Sequence, residues 1–61
     1  MLKEEKVRNP HYTTLYLTGT NEEVVARAGE ISLVFEAQLV DAKENKDGTV
    51  TLEMYYRWLD R

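Results

Sequence analysis

Cysteine is absent from this 61-residue chain, so no disulfide can staple it. Positive charge is in deficit too, with eight Lys and Arg against eleven Asp and Glu and a net charge of −3. The bases are scattered over Lys3, Lys6, Arg8, Arg27, Lys43, Lys46, Arg57 and Arg61, and the only cluster, the first three, is offset by Glu4 and Glu5. A nucleic-acid binder presents a basic face, so no nucleic-acid partner is expected. No apolar run approaches the ~20 residues that span a bilayer, and the N-terminus lacks the apolar core of a signal peptide. The expectation is a cytoplasmic protein with no membrane partner.

The inventory of reactive groups is equally thin. His11 and Ser32 are the only residues of their kinds. Ser32 follows Gly29-Glu30 without the context of a nucleophile elbow, and His11 beside Pro10 reads as a surface residue at a strand start. Acid–base chemistry needs carboxylates whose environments separate their pKa values. Glu22/Glu23, Asp41/Glu44/Asp47 and Glu53 qualify by type alone and read as solvated faces and turns. "DAKENKDG" lacks the alternating ligands of a calcium loop, and Lys43 and Lys46 oppose a cation. Neither an enzyme nor a metal site is expected.

What is present is an ordinary globular composition, 43% hydrophobic and 31% charged. A domain of this size buries only about 60% of the surface its unfolded chain exposes. Small scaffolds offset that weakness with crosslinks, metals or oligomerisation. With the first two excluded, self-association is expected.

Residues 1–10, "MLKEEKVRNP", read as a mobile N-terminal arm or a short edge segment, ending where Asn9-Pro10 breaks regular structure. The single small α+β domain then occupies 11–61. "HYTTLYLT" is rich in strand formers. Tyr12, Thr14 and Tyr16 share one face, and Thr13, Leu15 and Leu17 the other. At "GTNEE", Gly19 permits a tight turn, Thr20 is an N-cap and Glu23 completes a capping box. Glu22 and Glu23 meet the positive end of the helix dipole. A phosphate cradle is disfavoured there, because a single glycine is too few and the glutamates repel an anion.

The end of the helix has two readings. In one, a long helix runs over 21–45 with Val24, Ala28, Ile31, Phe35, Leu39 and Ala42 on one stripe, giving β-α-β. In the other, a short helix ends at Ala28 with Gly29 as C-cap, and a strand begins at Ile31. The second is favoured: β-α-β-β, with an antiparallel sheet ending in a long hairpin. Asn45-Lys46-Asp47-Gly48 suits a type I turn followed by a left-handed glycine. "TVTLEMYYRW" alternates cleanly, with Val50, Leu52, Met54, Tyr56 and Trp58 opposite Thr49, Thr51, Glu53, Tyr55 and Arg57. A four-residue loop sets Leu39 against Met54 and a three-residue loop with a bulge sets Val40 there, so register stays open.

"LYLTGTNEE", "VFEAQLVDAKENKDG" and "TVTLEMYYRWLD" resemble the dodecins, over roughly half the chain. The resemblance implies a β-α-β-β fold, a twelve-subunit shell and flavin storage. The family's flavin-stacking tryptophan corresponds to Val34, before Phe35-Glu36, and its flavin-contacting glutamine to Thr49, so both ligand positions depart from the pattern.

Aromatics beside an arginine on a strand can stack a planar molecule. In an acidic chain with little core, packing is the simpler use. Phe35, Leu39, Met54, Tyr56 and Trp58 are therefore expected in the core or at a subunit interface, with Tyr55 and Arg57 outward. The functional expectation is a non-enzymatic, homo-oligomeric binding or scaffolding protein. The alternatives are flavin storage as the cofactor-binding case, an acidic accessory protein docking on a partner enzyme, and a designed domain without function, since cap and turn residues agree so well locally.

Overall fold

The computed structural model describes residues 1–57. Five elements follow in order: β1 (Lys3–Arg8), β2 (Tyr12–Gly19), α1 (Asn21–Val34), β3 (Ala37–Glu44) and β4 (Val50–Arg57). The strands form one antiparallel sheet in the order β1-β2-β4-β3. The fold is α+β, and the expected β-α-β-β is preceded by one further strand.

That further strand is the segment 1–10, which takes the second of its two readings. β1 pairs with β2 from Lys3↔Thr18 to Arg8↔Thr13, so it belongs to the sheet and is not a separate arm. Pro10 does not end order here. The Asn9 N–H donates to the Tyr12 carbonyl at 2.9 Å, which closes a two-residue hairpin with proline in the first central position, where its fixed φ suits a β-turn.

The strand-to-helix junction is built as the residues predict. The Glu23 N–H donates to the Thr20 hydroxyl (3.2 Å) and the Thr20 N–H to Glu23 Oε1 (3.0 Å). A Cβ on Gly19 would lie 2.7 Å from Glu23 Oε1 and 3.3 Å from the Leu2 backbone, so the close approach requires glycine.

The helix corrects both sequence readings, since it passes through Gly29 and stops at Val34. Ile31 is a buried helical residue, not the start of a strand. Val24, Ala28 and Ile31 form one inward stripe, and burying it outweighs the ~1 kcal/mol that an interior glycine costs. The long-helix alternative fails at Phe35. That residue is extended (φ −123°, ψ 154°) and stacks on Tyr56, ring centroids 4.3 Å apart and 16° from parallel, which turns the chain back into β3.

The core is small: Leu15 and Leu17 of β2, Met54 and Tyr56 of β4, and Val24 and Ile31 of α1. One helix, ~10 Å wide, covers about two strands spaced ~4.8 Å apart. Arg27 ties α1 to β1 through a two-pronged contact with Glu4, Nε to Oε1 at 3.0 Å and Nη2 to Oε2 at 3.3 Å. The helix packs mainly on β2 and β4.

At the closing hairpin both register options operate in turn. Asn45 and Thr49 pair across Lys46-Asp47-Gly48, with Asn45 N–H to Thr49 carbonyl at 2.8 Å and Gly48 at φ 89°. Asp41↔Glu53 and Ala42↔Leu52 continue that register, and a bulge between Leu39 and Asp41 then shifts it so that Leu39 opposes Met54. Val40 is the extra residue.

Candidate functional site: the open face of the sheet

The face turned away from α1 carries no covering element among the described residues. The register assigns it residue by residue. Tyr12, Thr14, Tyr16 and Thr18 of β2 stand opposite Arg57, Tyr55, Glu53 and Thr51 of β4. Gln38, Asp41 and Lys43 of β3 join them, as do Lys3, Glu5 and Val7 of β1. The bulge adds Val40, which lines a hollow of about 400 Å³ together with His11, Tyr12, Thr14, Tyr55 and Arg57. A second hollow of about 490 Å³ lies beyond Tyr55 and Arg57, toward Glu36 and Gln38.

An antiparallel sheet with one solvated face usually alternates to polar residues on that side. This face keeps three tyrosines and two valines instead. Tyr12 and Tyr55 meet edge-to-face, centroids 6.0 Å apart at 71°, an arrangement that aromatic pairs favour. The Tyr55 hydroxyl donates to Gln38 Oε1 at 3.1 Å, and the Thr18 and Thr51 hydroxyls meet at 3.1 Å. The Tyr12 and Tyr55 rings are thereby held before anything docks. The charges are balanced, with Lys3, Lys43 and Arg57 against Glu5, Asp41 and Glu53.

The residues expected in the core or at an interface lie off this face. Met54 and Tyr56 are 4% and 6% exposed within the chain's own core, because α1 covers the face they share with Leu15 and Leu17. They present no surface to a second chain. Phe35 is half-buried against Tyr56. Leu39, on the helix side of β3, is 58% exposed and is the most exposed of these four. Trp58 lies outside the described residues. Tyr55 and Arg57 do point outward as expected, and the period-two pattern of Tyr12, Thr14 and Tyr16 already marked the adjoining row. Val40 was illegible, since only the bulge places it there.

The two dodecin-like ligand positions are separated. Val34 ends α1, whereas Thr49 lies in the closing loop, bonded to Asp47 and Asn45. Gly19↔Val50 pairing puts that loop beside the start of α1, about 20 Å from its end for a 14-residue helix. They do not form one site within the chain.

No group of three or more His, Cys, Asp or Glu able to hold a metal occurs among the described residues, and no helix there is long and apolar enough to cross a membrane. No protein-family model matches the chain, and no curated protein or solved structure matches it significantly.

Proposed function

We propose that this is a non-enzymatic binding or scaffolding protein that works as a homo-oligomer, its first contact being the open face of one sheet against the same face of a second copy. The observation that carries the reading is the uncovered row of Tyr12, Tyr16 and Tyr55 among balanced charges. Tyrosine and arginine are enriched in interface cores. Three cations and three anions on one face let a two-fold partner oppose unlike charges, as an isologous contact requires. Four strands of up to eight residues give a flat footprint of roughly 500 Å², and side-chain relief raises the accessible area toward the ~800 Å² per partner of a standard interface.

Light scattering at about 100 μM, well above the micromolar Kd that such an area supports, tests it. The expected mass is that of a dimer or a multiple of it, and Tyr55→Glu, which removes a ring and unbalances the charges, is expected to yield a folded monomer. A monomeric parent protein would overturn the reading, and an undiminished assembly in Tyr55→Glu would overturn the choice of face.

A second reading rests on the hollow beside Tyr12, Tyr55 and Arg57, which is wide enough for one planar molecule. Flavin storage of the dodecin kind would use it. Quenching of added flavin fluorescence supports that use, and its absence at micromolar protein removes it.

A further inference from the structure

The charges of the open face are ordered in rows. Strand pairing sets Lys3, Thr18, Thr51 and Lys43 side by side across β1, β2, β4 and β3. It sets Glu5, Tyr16, Glu53 and Asp41 side by side in the next row of the same face. Two residues separate the rows along each strand, about 7 Å. One row is therefore basic at both edges of the sheet, and its neighbour is acidic at both edges and at Glu53 between them. None of these charged side chains forms an ion pair within the chain among the described residues. Asp41 accepts the Ala42 N–H and keeps its charge.

We infer that this order fixes how two copies stack. Their two-fold axis runs across the strands, between the two rows, so that Lys3 faces Glu5 of the second copy and Lys43 faces its Asp41. This arrangement rests on the open-face assembly proposed above. Two sheets in isologous face-to-face contact are related by an axis lying between them, and that axis has two limiting directions. An axis along the strands sets β1 on β3 and each row on itself. Lys3 then meets Lys43, Glu5 meets Asp41 and Tyr16 meets Glu53, and like charges set against each other oppose association. An axis across the strands sets each strand on its own copy and exchanges the rows. Unlike charges then meet at both edges, twice each by symmetry. In the middle, the Tyr16 ring falls on Thr18, a large side chain on a small one. Glu53 falls on the Thr51 hydroxyl, whose oxygen accepts from Asn45 Nδ2 (3.0 Å) and whose proton can be donated. Packed sheets cross at about 30°. That displaces facing edge residues by roughly 4 Å over the ~7 Å from sheet centre to edge, an offset that a long lysine side chain spans.

Analytical ultracentrifugation of the full chain tests the axis. Lys3→Glu and Lys43→Glu each turn two symmetry-related attractions into repulsions and should raise the dimer Kd about tenfold. Adding Glu5→Lys to Lys3→Glu exchanges the two charges and should bring the Kd back to within about twofold of the parent. Lys6→Glu makes the same change of charge on the other face of β1, where Lys6 pairs with Leu15, and should leave the Kd unmoved. With the axis along the strands, each lysine variant would instead face a lysine and tighten the dimer. Unmoved or tighter dimers in the lysine variants, no recovery in the exchanged pair, or an equal loss in Lys6→Glu would overturn the arrangement and leave the choice of face standing. A monomeric parent would overturn it together with the assembly reading. Circular dichroism identifies the folded variants, and either lysine variant alone decides the sign.

Discussion

Replacing Gly29 by alanine separates the two ways in which this chain could have ended its helix. In the structure Gly29 is the ninth of the 14 residues of α1, on its exposed side, and an added Cβ meets nothing within 4 Å. Alanine is favoured over glycine in an exposed helix interior by about 0.8–1.0 kcal/mol, because glycine loses more backbone freedom on folding. Unfolding entropy of about 2.1 cal/mol/K per residue gives about 130 cal/mol/K for 61 residues. The expected rise in Tm is then about 6–8 °C. It should appear in circular dichroism melts at fixed protein concentration, with a higher urea midpoint and an unchanged m value. Had the helix stopped at Ala28 with Gly29 in the left-handed region, the same substitution would strain the backbone and lower stability by about 1 kcal/mol. The sign decides. A lowered or unmoved Tm would refute the continuous helix.

Two further outcomes follow from polar groups. Thr13→Val replaces an unpaired buried hydroxyl by a methyl of similar shape, so the unliganded protein should gain about 1 kcal/mol, read as a Tm rise of several degrees; a loss would mean that the hydroxyl is satisfied. The Glu23 carboxyl is held below the ordinary glutamate value, chiefly by the Thr20 backbone N–H and further by the N-terminal ammonium. A folded pKa below the unfolded one means stability that is full above the ordinary value and lost as pH falls through the folded one. Glu23→Gln should therefore flatten the acid limb of a Tm-against-pH series while leaving the protein helical, and an unchanged acid limb would remove Glu23 from that role.

How far the fold could be read depends on how many constraints met at each residue. At Thr20-Asn21-Glu22-Glu23 the cap, the glutamate three residues on and the preceding glycine all agree, and the capping box is there. At Asn45–Gly48 the turn residues and the positive φ of Gly48 agree as well. Between Gly29 and Phe35 two periodicities overlap. Ile31, Leu33 and Phe35 alternate like a strand, while Val24, Ala28 and Ile31 repeat like a helix. The helix prevails because its stripe lands on Leu15, Leu17 and Met54, long-range partners that no local window contains. Leu33 then lies on the outer side of α1, 89% exposed. β1 gave no apolar signal because an edge strand with both faces exposed needs none; its evidence is the pairing itself. The tyrosine row was visible as an alternation, but the groove lined by Lys6, Thr13, Phe35 and Tyr56 was not, since these come from four separate segments.

The edges of the sheet bear on how copies could meet. β1 carries five charges in six residues, KEEKVR. β3 is interrupted by the bulge at Val40, its Ala42 N–H is taken by Asp41 Oδ1 at 3.0 Å, and it ends in Lys43 and Glu44. These are the devices by which sheets suppress edge-to-edge pairing. Lateral addition, which would be open-ended, is thus disfavoured on both sides. Stacking through the open face differs, because each chain has one such face and a two-fold pair uses both at once. Such a contact closes at two copies and leaves the helix side of each untouched. Assembly would then use one surface of a thin sheet whose other surface carries α1 and the core.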